Sequence, residues 1–408
     1  MSRQRYISLI LILGSLTALG PFSIDMYLPG FPAIAKDLNT TVASISMSLS
    51  SYFIGISAGQ LLYGPLLDRF GRKKPLYIGL GVYILASLGC ASATTLDALI
   101  WLRFIQAIGS CAATVASVAM VRDLFPVKDS PKVFALLMLV VGLSPMLAPT
   151  VGGYVTAYFG WHTVFIVLAV MGFLFLLASK FGLPDTHKPD PSISLKPKPI
   201  IRNFIMVLRE PQFYTYAFTG AVAFSGLFTY VAASPMIFMD IYNVDEKVYG
   251  WIFAFLSIGM IGGSQLNSLL LKKYKSEQII FATLVSQVVI TIAFLICSWY
   301  NWLGLYGTIA LIFFFLLCIG LANPNNAGLS LAPFARNAGS ASALMGAAQL
   351  GMGAVASFIV GIFTAKSVIP MVMIMAVSSI IALLILTLGR RNIKNTIDIS
   401  ADSETVLH

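Results

Sequence analysis

Twelve apolar runs, each long enough to cross a bilayer and separated by short polar breaks, constrain this chain more than any other feature. A helix needs about 20 apolar residues to span the hydrocarbon core. The runs cover about 6–28, 42–67, 75–93, 99–121, 133–158, 161–183, 213–237, 249–271, 278–299, 302–322, 339–363 and 369–388. Inside lipid every backbone amide and carbonyl needs an internal partner, and a helix of this length supplies it. Composition agrees. Hydrophobic residues make up 58% of the 408 and charged ones only 10%, where soluble domains carry roughly 25% charged residues. The expected fold is an all-α membrane protein with twelve transmembrane helices and no sizeable soluble domain.

The basic residues give the orientation. With the N-terminus inside, 22 of the 26 lysines and arginines fall on inner segments, as the positive-inside rule requires. Lys36, Lys247 and Lys366 fall in outer loops, and Arg103 lies inside the fourth run. Both termini are therefore expected in the cytoplasm. The net charge of +10 is spread over these short loops, which argues against a nucleic-acid partner. The N-terminal run passes the small residues Ala18 and Gly20 without a break, so an uncleaved first span is expected rather than a signal peptide. Residues 184–211 form the longest interior polar stretch and contain Pro184, Pro189, Pro191, Pro197 and Pro199. They separate an N-terminal six-helix bundle (1–183) from a C-terminal one (212–388), followed by a tail (389–408). Gly64 four residues before Asp68 and Gly263 four residues before Asn267 faintly echo each other across the halves. Bundles built from such repeats place substrate between the repeats near the midplane.

The most specific motif is Gly64-Pro65-Leu66-Leu67-Asp68-Arg69-Phe70-Gly71-Arg72-Lys73-Lys74. Gly71 permits a tight turn that other residues resist. Asp68 is placed to dock on the positive amino end of span 11, and Arg72 to pair with Asp123 at the inner end of span 4. This stretch resembles the signature between spans 2 and 3 of the major facilitator superfamily. That resemblance implies a gating role for Gly64, Asp68, Arg69, Gly71, Arg72 and Asp123, whose contacts latch the inner side. Arg103-Phe104-Ile105-Gln106 with Gly109 resembles the family's span 4 motif, with Ala107 where glycine is common. Pro145, Pro149, Gly152 and Gly153 resemble the antiporter signature of span 5, with Ala148 in place of its first glycine. Asp25-Met26-Tyr27-Leu28-Pro29 with Pro32, and Gly339 to Leu344, resemble the drug:proton antiporters of the bicyclomycin and chloramphenicol resistance (Bcr/CflA) branch. The resemblance covers essentially the whole chain.

Two charges lie within spans, Asp25 and Arg103, and a charge in a span costs at least ~2.5 kcal/mol at the helix centre. Counting residues from the span ends places both about one turn below the outer surface, so a pair is expected. Burial favours the neutral carboxyl and a guanidinium favours the charged one. A carboxyl between these pulls can take up and release a proton. The open readings are a proton carrier, a structural salt bridge, or an acid at the wet outer surface.

Phe22, Tyr52, Phe224 and Phe228, with Gln106 and Gln349, are the candidate substrate-lining residues. An aromatic cavity with few polar groups suits small amphipathic, neutral or weakly cationic molecules. There is no P-loop and no catalytic or metal-ligand cluster among His162, His187 and His408, and Cys90, Cys111, Cys297 and Cys318 have no ligand spacing. No enzyme activity, metal or cofactor is expected. The partners are a small-molecule substrate, protons and the lipid bilayer, with the chain as a monomer. The leading function is proton-coupled antiport that exports small amphipathic drugs by alternating access. The alternatives are export of an endogenous metabolite or siderophore, import by symport, and a membrane sensor or enzyme.

Overall fold

The computed structural model describes residues 3–125, 130–185, 189–190, 197–334, 338–363 and 367–393. Lys128, Lys188, Lys196, Arg336, Lys366, Lys394, His187 and His408 lie outside them. Every regular element among the described residues is helical: α1 (Arg3–Asp25), α2 (Phe31–Asp37), α3 (Val42–Phe70), α4 (Lys73–Ala91), α5 (Leu96–Leu124), α6 (Ser130–Phe159) and α7 (Trp161–Gly182). There follow α8 (Pro197–Leu208), α9 (Pro211–Pro235), α10 (Glu246–Leu270), α11 (Ser276–Trp299), α12 (Leu305–Leu331), α13 (Ala338–Ile362) and α14 (Ile369–Gly389). Among the described residues, twelve spans are long and apolar enough to cross a membrane.

The first span is longer than hydropathy indicates. It runs from Gln4 to Asp37 as α1, a 3₁₀ turn at Leu28–Gly30, and α2. The break has a local cause. Pro29 lacks the amide that would donate to the Asp25 carbonyl, and its ring crowds that carbonyl; Pro32 does the same to Leu28. Lys36, expected in an outer loop, belongs to the last turn of α2. Beside it, Asp37 accepts from the Trp161 indole at 3.2 Å and stands 3.5 Å from His162 Nε2, which ties the end of α2 to the start of α7. The seventh span is also longer than expected. Pro235 ends α9 and a π-helical turn, Met236–Ile241, carries the span on.

The chain divides into two compact units, Met1–Leu195 with Ser234–Ala254, and Lys196–Ala233 with Phe255–His408. In the first unit, small residues let helix backbones meet, as is usual where lipid offers no hydrophobic drive. A methyl on Gly109 of α5 would lie 2.6 Å from the Tyr83 amide nitrogen of α4, and one on Gly79 would overlap Ala112. Gly55 of α3 faces Ala107, whose Cβ would be 2.6 Å from an added methyl. The alanine that departs from the span 4 motif is thus accommodated by a glycine opposite. Thr41 and Thr95 cap α3 and α5, accepting from the amides of Ser44 and Ala98 at 3.1 and 3.2 Å.

In the second unit α10 and α12 cross at glycines. A methyl on Gly263 would overlap the Leu317 carbonyl, and one on Gly320 the Met260 carbonyl. Asn325 Nδ2 bonds Asn267 Oδ1 across this pair at 2.6 Å. Tyr216, Val222, Ile280, Leu284, Leu329, Ala382 and Leu386 form the core. The interior stretch expected to be a polar linker contains α8, whose Val207 packs with Phe213, Ala217 and Ala341.

Gly160 links α6 to α7 at φ 80°, ψ 164°, with open space where a side chain would go. That backbone region is essentially closed to other residues and costs of order 1–3 kcal/mol to occupy. Gly160→Ala should therefore lower the thermal unfolding midpoint of the solubilised chain. Gly81→Ala, in equally open space but mid-helix, should leave it unchanged or raise it. Equal midpoints for both variants would contradict this reading of the turn.

Candidate functional site

Arg103 of α5 is fully buried, at 0% exposure. Its guanidinium lies 4.2 Å from the Tyr27 ring centroid, 4.1 Å from Tyr52 and 5.8 Å from Phe165, all within cation–π range. One terminal nitrogen donates to Gln106 Oε1 at 2.6 Å and the other to the Ser23 carbonyl at 2.8 Å. Polar side chains hold these partners in place. Gln106 Nε2 donates to Ser87 Oγ at 2.7 Å, and Ser87 donates to the Tyr83 carbonyl at 2.7 Å. The Tyr83 hydroxyl pairs with Ser23 Oγ at 2.7 Å, Tyr52 with Ser110 at 2.8 Å and Tyr27 with Ser48 at 3.2 Å. The charge thus meets aromatic faces and two neutral acceptors, while its buried Nε has no hydrogen-bond partner among the described residues.

The expected pair with Asp25 does not form, and helix geometry gives the reason. Ser23 and Asp25 are two residues apart, about 200° around the axis at 3.6 residues per turn. A guanidinium seated on the Ser23 carbonyl therefore faces away from Asp25. The depth estimate also changes, because the span continues to Asp37 and Asp25 stands at its internal break. Asp25 is 6% exposed, and its carboxyl makes no hydrogen bond or ion pair among the described residues. The Tyr249 hydroxyl, paired with Ser234 Oγ at 2.8 Å, lies within electrostatic range of its carboxyl.

Pro145, Pro149, Gly152 and Gly153 lie on α6, beside this break. A methyl on Gly152 would overlap the Met26 carbonyl, one residue beyond Asp25, and one on Gly153 would overlap the Glu246 carbonyl. From the other side, a methyl on Gly250 would lie 2.7 Å from Thr150 Cα and 2.9 Å from the Pro149 carbonyl. Thr150 Oγ1 donates to the Gly250 carbonyl at 3.2 Å. Prolines at 145 and 149 remove two successive helical amides four apart, and the small residues between let two backbones press on the opened helix. The Ser234–Ala254 segment groups with the first unit through these contacts and through Lys247 Nζ, which donates to the Tyr158 hydroxyl at 3.0 Å.

At the turn between α3 and α4, Gly71 has φ 80° and ψ 166°. Arg72 Nε donates to Asp123 Oδ2 at 2.8 Å, and another Arg72 nitrogen to Asp68 Oδ1 at 2.5 Å. Burial opposes the Arg72 charge, but the hydrogen bonds to Asp123 and Asp68 prevail and hold its pKa above the ordinary value. Arg69 lies with its guanidinium 5.8 Å from the Phe70 ring. Gly64 faces open space.

The six candidate substrate residues separate into two groups. Tyr52 and Gln106 are fully buried and committed to the Arg103 network. Phe22, Phe224 and Gln349 are half-buried. Phe224 and Phe228 stack edge to face, 5.4 Å between centroids, and Phe228 covers Gly353. Gln349 Nε2 donates to Asn323 Oδ1 at 2.7 Å. Sequence reasoning missed Ser23, Tyr27, Tyr83, Ser87, Phe165 and Tyr249. Tyr83 and Ser87 carried a signal, since polar groups four apart share one helix face within an otherwise apolar run.

The model of the Major Facilitator Superfamily matches residues 13–357. The "Uncharacterized MFS-type transporter YdgK" of Bacillus subtilis is 33% identical over 378 residues, covering 92% of this chain and 93% of that protein. The "Bicyclomycin resistance protein homolog" of Haemophilus influenzae is 32% identical over 387 residues, covering 95% and 97%. The "Multidrug resistance protein MdtL" of Escherichia coli is 30% identical over 382 residues, covering 89% and 94%. Among solved structures, a D-xylose-proton symporter superposes with a TM-score of 0.73 at 14% identity, covering 93% of this chain and 97% of that one. A bacterial homologue of the human lysosomal transporter Spinster, in an inward-facing and occupied conformation, gives 0.72 at 12% identity, covering 95% and 96%. These two likenesses show the fold.

Lysine cannot lie flat between two tyrosine rings while donating to two separate acceptors. Arg103→Lys should therefore lower the stability of the solubilised chain by about 2 kcal/mol, the worth of one lost hydrogen bond to a charged group. An Arg103→Lys unfolding midpoint equal to that of the unmodified chain would contradict the assigned network.

Proposed function

Since the chain belongs to the Major Facilitator Superfamily and is a multi-pass membrane transporter of small molecules, we propose that it exports small amphipathic drugs by proton-coupled antiport. The observation that carries this reading is Asp25, buried at a proline break and without an ion-pair partner among the described residues. A lone carboxyl inside a span is costly to keep ionised, and a proton relieves that cost. Relatives whose names record bicyclomycin and multidrug resistance support drugs as the substrate class, and the Pro149–Gly153 contacts on the same break support antiport. The protein works as a monomer in the bacterial inner membrane, with both termini cytoplasmic.

In this mechanism Asp25 takes a proton from the outer side and gives it up to the cytoplasm as access alternates. The main-chain break beside it supplies the moving part. The helix there is already interrupted at Pro29, so a shift of α6 or of the Ser234–Ala254 segment bears directly on Met26 through Gly152 and its neighbours. Arg103 acts as a positioning residue, fixing the orientation of α1 through Ser23. Arg72, gripping Asp68 and Asp123, belongs to the inner gate with Arg69, Gly71 and Gly64. Phe22 in the first unit and Phe224, Phe228 and Gln349 in the second are the proposed substrate contacts, while Tyr52 and Gln106 act through the Arg103 network.

Respiring everted vesicles test this. Their lumen acidifies, and a transported compound should release protons from it, read as recovery of a quenched pH dye. A panel of amphipathic antibiotics that includes bicyclomycin should give recovery with the native chain and none with Asp25→Asn, at equal protein levels. Recovery of equal size with Asp25→Asn would remove Asp25 from the coupling. Arg72→Ala should lower the recovery rate several-fold without shifting its dependence on lumenal pH.

A further inference from the structure

Helix α8 has 12 residues, a rise of about 18 Å, which is too short for the roughly 30 Å hydrocarbon core. Its register is amphipathic. At about 100° per residue, with Ile201 set at zero, Ile205 falls at about +40°, Leu208 at about −20°, Phe204 at about −60° and Val207 at about −120°. These apolar residues fill one continuous arc. The fold covers one edge of it, where Val207 is buried against Phe213 and Ala217 of α9 and Ala341 of α13. The rest stays open: Ile201, Ile205 and Leu208 are 53%, 44% and 36% exposed. Two cations flank the open edge. Arg202 falls at about +100°. Arg209, whose amide still donates to the Ile205 carbonyl at 3.1 Å, falls at about +80°. Both are exposed, and neither side chain has an ion pair or hydrogen bond among the described residues. Asn203 lies on the opposite side of the helix and is also exposed.

Connectivity fixes what lies beside this face. The span Pro211–Ile241 begins with α9, and only Arg209 and Glu210 separate it from α8. The end of α8 therefore stands at the level where a span enters the bilayer, and Val207 pins it to the beginnings of α9 and α13. A bilayer presents acyl chains and then phosphates at that level. Around its circumference α8 presents aliphatic side chains and then guanidiniums, the order of a helix lying in the interface. Charge selects the lipid. From Pro191 to Arg209 the sequence contains Lys196, Lys198, Arg202 and Arg209 and no aspartate or glutamate. A basic cluster next to a span attracts anionic headgroups, and the planar fork of arginine matches two phosphate oxygens.

We infer that α8 is a membrane-surface helix that buries Ile201, Ile205 and Leu208 among acyl chains and binds acidic phospholipid headgroups through Arg202 and Arg209. Through Val207 and Ala341 this contact steadies the beginning of α13 against the bilayer surface. The inference is independent of the export reading, and its test needs no transported compound. A fluorescent label is attached through Ile205→Cys or Asn203→Cys in the full chain, with the 4 native cysteines replaced by alanine. Each protein is reconstituted into phosphatidylcholine vesicles containing a minority of phosphatidylglycerol. In one series the phosphatidylglycerol carries a nitroxide quencher on its acyl chain; in the other an equal amount of the phosphatidylcholine carries it. The label at position 205 should be quenched and the label at position 203 spared. Quenching at 205 should be at least about threefold stronger with the nitroxide on phosphatidylglycerol, a fraction of what two cations near an anionic surface supply. That excess should shrink at high salt and vanish when Arg202→Gln and Arg209→Gln are combined, while quenching by phosphatidylcholine persists. Absence of quenching at position 205 overturns the inference, since a protein partner or a second copy of the chain then covers the face. Equal quenching at 205 and 203 overturns it as well, as does equal quenching by the two lipids. An excess that survives the paired arginine substitutions overturns the assignment of the headgroup contact.

Discussion

A guanidinium removed from water must have its charge answered by the protein, and most of the first unit is arranged around Arg103 for that purpose. No carboxylate meets it among the described residues. Two tyrosine rings sandwich it, a third aromatic stands nearby, and a main-chain carbonyl and an amide oxygen accept its protons. Cation–π contacts strengthen when desolvated, reaching about 2 kcal/mol, so the arrangement offsets much of the burial cost without neutralising the charge. A salt bridge would have locked two charges together. This arrangement leaves Asp25, on α1, without a counter-ion among the described residues.

That consequence is the link between packing and the proposed function. The Ser23 carbonyl takes the arginine on one face of α1, and Asp25 is turned to the other, where the proline break begins. Gly152 brings α6 onto the residue after the acid, and Gly250 and Thr150 bring the Ser234–Ala254 segment onto α6. Movement of either neighbour thus reaches the environment of one carboxyl through backbone contacts only a glycine permits. The second unit contributes a different chemistry. Its side-chain amides pair in part with one another, Asn325 with Asn267 and Gln349 with Asn323, while Gln287 has no partner among the described residues.

The twelve spans were legible because the bilayer imposes a length on every helix, and so was the turn at Gly71, because a glycine beside an acid and four cations has few other uses. The pairing of Arg72 with Asp123 could be read for the same reason, since both sit at inner span ends. The partner of Arg103 could not. Residue counting fixes depth along a helix, but rotation about its axis depends on packing. Two residues of difference separate Ser23, which meets the arginine, from Asp25, which does not. Span 1 outruns its apolar run, which ends near Leu28, because the chain turns once at Leu28–Gly30 and resumes as α2. The roles of Tyr52 and Gln106 were obscured in the same way: residues that suit a substrate equally suit a buried cation, and only coordinates distinguish them.

The central claim is that the Asp25 carboxyl takes up and gives back a proton within the span. Infrared difference titration of the purified full chain measures this without a substrate. The account requires a carboxyl stretching band that grows as the pH is lowered and is missing from Asp25→Asn. Spectra of the native chain and of Asp25→Asn that coincide at every pH would contradict it.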